Sequence, residues 1–364
     1  MAMDFFPSRT LAIYMAKMLM LRTFAVLAML VLVLQALDLL GESGRILAQE
    51  GNGQGELWTY VTLRAPQLVA RFLPFAVLLG TIITAATLNQ NSEVISMKAG
   101  GLSAHQILAP LIIASMLVAI ISFLYNEIVV APATARLSAW EKVEYGPIPE
   151  ASNVRTNIWV RDGNSLVNAK TVIGSGNDVI LRDITIYDRV DNSLRSLMQG
   201  KEARFTGSSW TMTGVTRFNV VTGTEEQKDS ITIGKALRPD QFTLANVNAE
   251  ALSFMELQSA IAELKEAGRP TMGLESSLWH KISGPLSSIL MPLLGAVAAF
   301  GLARSGQLFV RAVLGMALGF AYFVADNFSL AMGTIGAYPP ILAAWAPFML
   351  FFLIGETVLI RTEE

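Results

Sequence analysis

Apolar residues gather in long runs near the two ends of this chain and alternate with polar ones in its middle. Six runs are long enough to cross a bilayer as helices, for which about 20 residues are needed. They are Leu19–Leu40, Pro66–Leu88, Ile107–Asn126, Ile282–Ala303, Ala312–Met332 and Tyr338–Gly355. The third and fourth contain no charged residue, the second none after Arg71, and the fifth a single carboxylate, Asp326. A backbone in lipid must close its hydrogen bonds within the segment, so helices are the expected form. Arg9, Lys17 and Arg22 precede the run Thr23–Leu37. That run is long for a signal peptide, no Ala-x-Ala site follows closely, and more spans come later, so it reads as a retained first helix.

Between the third and fourth runs the period changes. The insert from Ala131 to Leu278 has a different character, and its centre alternates in twos, as in half-buried strands. Ile158 and Val160 lead to the turn Asp162-Gly163-Asn164, with Leu166-Val167 after it. Val179–Tyr187 is closed by Asp191-Asn192-Ser193, and Phe205 runs through Gly207-Ser208-Ser209 into Trp210, Met212, Phe218 and Val220. Several short strands with turns between them predict a sandwich or jelly roll. Residues 253–268 then return to helical spacing, with Phe254, Leu257, Ile261 and Leu264 on one face and Gly268 with Pro270 as the stop. This stretch is too polar to span and predicts an amphipathic helix at the membrane surface or a lever between domain and bundle. The expected divisions are residues 1–130 for the first three spans, 131–278 for the β domain with its helix, and 279–364 for the last three spans.

Charge sets the orientation, through Lys and Arg in the short loops. With the N-terminus inside, the cytoplasmic side holds Arg9, Lys17, Arg22, Lys98, Arg304, Arg311 and Arg361; the other side holds Arg45 and Arg64, with Arg71 at a helix edge. Both termini are expected in the cytoplasm and the β domain outside. Composition agrees with a membrane protein: 15% of residues are charged and the mean hydropathy is +0.47, against roughly 25% charged in ordinary globular chains. A net charge of −2 excludes a basic nucleic-acid binder. The absence of cysteine excludes disulfides, iron–sulfur clusters and Cys-ligated zinc, and two histidines, His105 and His280, are too few for a His-built metal site. No G-x-x-x-x-G-K-[ST] loop is present, since Gly234-Lys235 is followed by Ala236. Work powered by ATP would need a separate subunit.

The loop after the second span, residues 89–106, has Ser92 placed to cap a short helix and Gly100-Gly101 placed to stop it. Such a helix is either a knob for a partner ATPase or a plain connector. Asp326 is either a polar contact in a transport path or, the preferred reading, a helix–helix hydrogen bond involving Asn327 or a backbone carbonyl. Asp38 reads as a solvated helix end. Arg136, Glu141 and Lys142 lie just past the third span, where a cation either meets a lipid phosphate or anchors at the interface. Gly295, Ala296, Ala298, Ala299, Gly315 and Gly319 predict close helix packing, and the methionines read as apolar filler.

Three spans, a β domain, three spans and no nucleotide site resemble the YjgP/YjgQ permease family, whose members export lipopolysaccharide, over nearly the whole chain. Ser92-Glu93 and Ala99-Gly100 match the family's paired positions after helix two, and Val130-Ala131-Pro132 its end of helix three. Ile158–Asn164, Trp279-x-Lys281-Ile282 with Pro285-Leu286-Ser287, and Asp326 with Gly336-x-x-Pro339-Pro340 resemble its G-type branch. The resemblance implies pairing with a homologous F-type permease on a dimeric cytoplasmic ATPase, which binds the ATP, so that this chain holds no cofactor. It implies further partners, a single-span protein with a periplasmic domain and a periplasmic bridge. Lipopolysaccharide would enter through gates at helices one and five and pass along β-jellyroll domains. Glu93 would lie in the ATPase-contacting segment, and Lys142, with Arg136 nearby, at the lipid headgroup. Two positions depart from the family pattern: the stretch Gln35–Glu42 carries no cation where relatives have lysines, and Ala139 stands at a second basic position. A less phosphorylated cargo, such as a glycosphingolipid, would suit that departure.

The expected architecture is therefore a six-helix membrane bundle with an inserted periplasmic all-β, jelly-roll-like domain, in a bacterial inner membrane. The expected function is ATP-coupled lipopolysaccharide extraction without covalent chemistry. The alternatives are a non-transporting scaffold or assembly factor, and a lipid-modifying enzyme. No catalytic spacing of His, Cys or carboxylates supports the enzyme.

Overall fold

The computed structural model describes residues 8–146, 154–162, 164–174, 178–190, 193–207, 209–220, 222–233, 237–239, 242, 247–266, 269–299 and 308–361. Gly163, Asp191-Asn192, Ser208, Gly234–Ala236, Gly268, and the end of the fourth predicted span with Arg304 lie outside the described residues.

The helices that carry the predicted spans mostly run beyond their apolar stretches. α1 is Arg9–Ala48, opened by Ser8, whose hydroxyl accepts from the Leu11 amide. α2 is Gln54–Gln90 and absorbs Pro66 and Pro74. α3 is the short helix Glu93–Ala99. α4, Ala104–Tyr125, opens on a reciprocal cap in which Ser103 Oγ accepts from the Gln106 amide and Gln106 Oε1 from the Ser103 amide. It does not end at Asn126. A π turn, Asn126–Val130, joins it to α5, Ala131–Lys142. The residues after Val130, expected to begin the outer domain, thus continue the third span as helix. Pro132 is tolerated because it falls in the first turn of α5. After the strands come α6 (Phe254–Glu266), α7 (Met272–Ala299), α8 (Leu308–Thr334) and α9 (Pro340–Arg361). Hydropathy alone sets the ends too early, because it stops at the first charge while a capped helix continues into water.

By length and composition α1, α2, α4 with α5, α8 and α9 can cross a membrane. α7 has 28 residues and no charge after Lys281. Two apolar cores hold the bundle. One joins Met15, Leu19, Leu88, Met97 and Leu108 near α3, and the other joins Leu78, Ile82, Leu290, Tyr322 and Phe351 at mid-depth. The helices approach closely where side chains are small. A Cβ at Gly295 would stand 2.9 Å from Thr81 Cγ2, and one at Gly319 would overlap Leu78. Outside, Phe24, Leu32 and Leu40 are 71%, 72% and 75% exposed. Since burying such a side chain is worth about 1.5–3 kcal/mol, this belt suits lipid.

The six strands, β1 (Val154–Asp162), β2 (Ser165–Ile173), β3 (Ile180–Val190), β4 (Ser193–Phe205), β5 (Trp210–Asn219) and β6 (Thr224–Ile233), form one antiparallel sheet in sequence order. The alternation expected from the sequence sets its register: Val167 pairs with Ile186 and Ile186 with Met198, all on the core face. Trp210 is fully buried, gives its Nε1 proton to Leu237 O at 2.9 Å and meets Phe242 edge-on at 5.4 Å. Consecutive pairing makes this a meander. The expected jelly-roll crossovers do not occur among the described strands. β6 is an exposed edge carrying Glu225, Glu226, Lys228 and Asp229, charges that discourage another strand from pairing there.

Candidate functional site

At the end of the bundle that carries the sheet, polar side chains tie α1, α2 and α5 together. Asp38 Oδ2 accepts from the Tyr60 hydroxyl at 2.6 Å and from Arg64 Nε at 3.0 Å. Arg64 also gives a proton to Gln67 Oε1 at 2.6 Å, and Gln67 Nε2 to Thr134 Oγ1 at 2.8 Å. Asp38 is therefore not a solvated helix end. Its carboxylate, 25% exposed, is clamped between two helices. Just beyond, the Tyr145 hydroxyl bonds Glu42 Oε2 at 2.9 Å, and Asn52 Nδ2 bridges the Ile46 and Tyr145 carbonyls. Burial first, and then the bond to Glu42, push the Tyr145 hydroxyl above its ordinary range. Ile46, Tyr60, Leu137 and Trp140 pack around this belt.

Beside it α2, the π turn with α5, α7 and α8 enclose a cavity of about 420 Å³. Its sheet-ward end is charged, with Arg64, Arg71, His280, Lys281 and Asp326, and its deeper end is lined by Phe75, Met291, Gly319 and Tyr322. Helical spacing explains the lining: Arg64, Arg71 and Phe75 recur along one face of α2, and Tyr322, Asp326 and Leu330 along one face of α8. Asp326 meets His280 Nε2 of α7 at 2.9 Å, in place of the expected partners; Asn327 bonds the Phe323 carbonyl of its own helix. In the π turn, Glu127 Oε2 accepts from the Phe254 amide, the first of α6, at 2.7 Å. The helix dipole favours a carboxylate there, and the contact fastens α6 to the third span.

At the opposite end α3 stands between α2 and α4. Val94 and Met97 are buried in the bundle core, while Ile95 is 52% exposed and Ser96, Lys98 and Ala99 also face out. Gly100-Gly101 ends the helix as expected: with Gly101 at φ +88°, the Leu102 amide reaches Met97 O and the Gly101 amide Lys98 O. Ser92 precedes the helix but does not cap it through its hydroxyl. It sits in the left-handed region at φ 59°, and its carbonyl accepts from Ser96. Glu93 Oε1 accepts from the Tyr14 hydroxyl of α1 at 3.3 Å and from Asn91 Nδ2 at 3.1 Å.

Ser92, Glu93, Ala99 and Gly100 thus share one short element, and Asp326 lines the cavity. Arg136 and Lys142 are exposed on α5 and do not line it. Sequence reasoning missed Arg64, Arg71, His280 and Lys281 as cavity residues. The spacing of Arg64, Gln67 and Arg71 was the available signal, together with His280 standing next to a lysine at the start of a span.

Comparison with known proteins agrees with this layout. The chain is 28% identical over 308 residues to the lipopolysaccharide export system permease protein LptG of Escherichia coli (strain K12), covering 83% of this chain and 84% of that protein. It is 26% identical over 329 residues to the protein of the same name from Haemophilus influenzae, covering 86% and 89%. The family model described as lipopolysaccharide export system permease LptF/LptG matches residues 13–361. A match over almost the whole chain, spans and sheet together, places this protein in the LptF/LptG family of lipopolysaccharide export permeases.

Proposed function

We propose that this chain is the G-type permease of a lipopolysaccharide exporter, paired with an F-type permease and driven by a separate cytoplasmic ATPase that binds the ATP. Its family is a transporter component, not an enzyme. The observation that carries the coupling reading is α3, a seven-residue helix capped at both ends by the backbone, rooted in the core through Val94 and Met97 and presenting Ile95 outward. A plain connector has no need of an exposed isoleucine on a rooted helix. In this reading α7 crosses the membrane as the fourth of six spans, both termini face the cytoplasm, and α3 lies on the ATPase side. The sheet then lies in the periplasm, where it hands lipid to a single-span partner and a bridge protein. The two LptG relatives support this assignment of branch.

The scaffold alternative is separated by one experiment. Pull-down of the tagged chain in mild detergent should recover a second permease and an ATPase, and the eluate should hydrolyse ATP. Recovery of the chain alone would leave the scaffold reading in front.

A further inference from the structure

The core face of the sheet explains its apolar alternation, but the opposite face is not plainly polar. Neighbours along a strand point to opposite sides, so the residues beside Val167, Ile186 and Met198 stand outward. Leu166, Tyr187, Leu197 and Phe218 pair in turn across β2 to β5 and form one outward row. The next row, Asn168, Thr185, Gln199 and Thr216, consists of amides and hydroxyls alone. Trp159 pairs with Asn168 at the β1 end of this second row. It reaches over β2 to stack on Tyr187, with ring centres 5.6 Å apart and planes 24° from parallel. Trp159 is 48% exposed and Phe218 41%. The indole N–H of Trp159, the Tyr187 hydroxyl and the Gln199 amide bond no described residue. Neither row carries a charged side chain from β1 to β5. Charge returns on this face nearer the start of β3, where Arg204 Nε meets Glu202 Oε1 at 2.6 Å.

We infer that this outward face is a saccharide-binding platform, which holds the sugar portion of the exported glycolipid. The proposal rests on the export reading and deepens it by naming the part of the cargo that the sheet contacts. A sugar ring presents a C–H face, which lies well against the negatively charged face of an aromatic ring. Its rim carries hydroxyls that both donate and accept, and Asn, Gln and Thr side chains answer in both roles. Here an aromatic and apolar row runs beside an amide and hydroxyl row, one pleat repeat or about 7 Å away. Other occupants fit less well. An anionic headgroup would need a cation, and these rows have none. An acyl chain would cover the amides of the second row and leave them unpaired, which is costly. A stable protein interface needs about 800 Å² on each side. The two rows span about 20 Å across five strands and about 10 Å along them, roughly 200 Å², the footprint of a few sugar rings.

The test is saturation-transfer NMR on the full chain, purified in mild detergent with its co-purifying partners. The probe is the oligosaccharide cleaved from lipopolysaccharide by mild acid and stripped of phosphate. The wild type should bind it. Trp159→Ala should weaken binding by about fivefold or more, the scale of one aromatic stacking contact, and Trp159→Tyr should stay within about twofold of the wild type. Gln199→Ala should weaken binding on its own and decides the matter if Trp159→Ala lowers the melting temperature. Arg204→Gln, on the charged part of the same face, should leave binding unchanged. Binding that survives Trp159→Ala combined with Gln199→Ala overturns the site, as does a Trp159→Tyr variant no better than Trp159→Ala. Displacement of the oligosaccharide by lauric acid would also overturn it, since the face would then serve acyl chains. A wild type that keeps its permease and ATPase partners but binds no oligosaccharide overturns this proposal alone. A chain that recovers no such partners would instead sink the export reading.

Discussion

The two ends of the helical bundle are built on opposite principles. At the sheet end, hydrogen bonds among Asp38, Tyr60, Arg64, Gln67 and Thr134, and a second set through Glu42, Asn52 and Tyr145, knit three helices into one body. At the other end, α3 reaches α1 through the bond from Tyr14 to Glu93 and through apolar packing of Val94 and Met97 with Met15 and Leu19, and leaves Ile95 exposed. Polar networks of partly buried side chains fix helices because hydrogen bonds strengthen where the local dielectric is lowered. An exposed apolar residue on a short, rooted helix leaves a surface for another protein to cover. One end is tied by hydrogen bonds, and the other leaves an apolar side chain uncovered.

The contrast is broken most sharply by Arg64→Met. It leaves Asp38 clamped without its cation and should lower stability by about 2 kcal/mol. That is below the ~3–5 kcal/mol of a fully buried pair, since both side chains are partly exposed. Thermal unfolding in detergent measures it, and adding Asp38→Asn should return most of the loss; no recovery would mean that Arg64 acts through packing alone.

A smaller effect sharpens the comparison at the joint between α6 and α7. Hydrogen bonds from Thr271 and then Lys265 hold the Glu275 carboxyl below the usual carboxylate range. A depressed folded value contributes stability that is present above the unfolded value and lost as pH falls through the folded one. The protection factors of α6 amides, taken against the intrinsic exchange rate at each pH, should therefore fall between about pH 5 and pH 3, and Glu275→Gln should remove that dependence.

Much of this was legible in the sequence for physical reasons. Bilayer-length apolar runs and period-2 alternation each report a solvent boundary, so the helices and the sheet's core face followed from them. Gly100-Gly101 was legible because only glycine adopts the left-handed turn at low cost. Helix ends were not, since capping by Ser8 and Ser103 carries helices past the apolar boundary. Partners were not legible either. Asp38 with Arg64 and Asp326 with His280 are separated by 26 and 46 positions, and only helix crossing brings them together. The π turn escaped because nothing in Asn126–Val130 departs from an ordinary helical pattern.

The most direct test of the coupling claim is Ile95→Asp in the assembled complex. Ile95 lies outside the core, so the melting temperature of the chain should not change. Co-purification of the ATPase, or lipid-stimulated hydrolysis, should fall by about tenfold or more, as expected for an apolar anchor at the centre of an interface. Full retention of the ATPase with normal hydrolysis would contradict the account and leave α3 a connector.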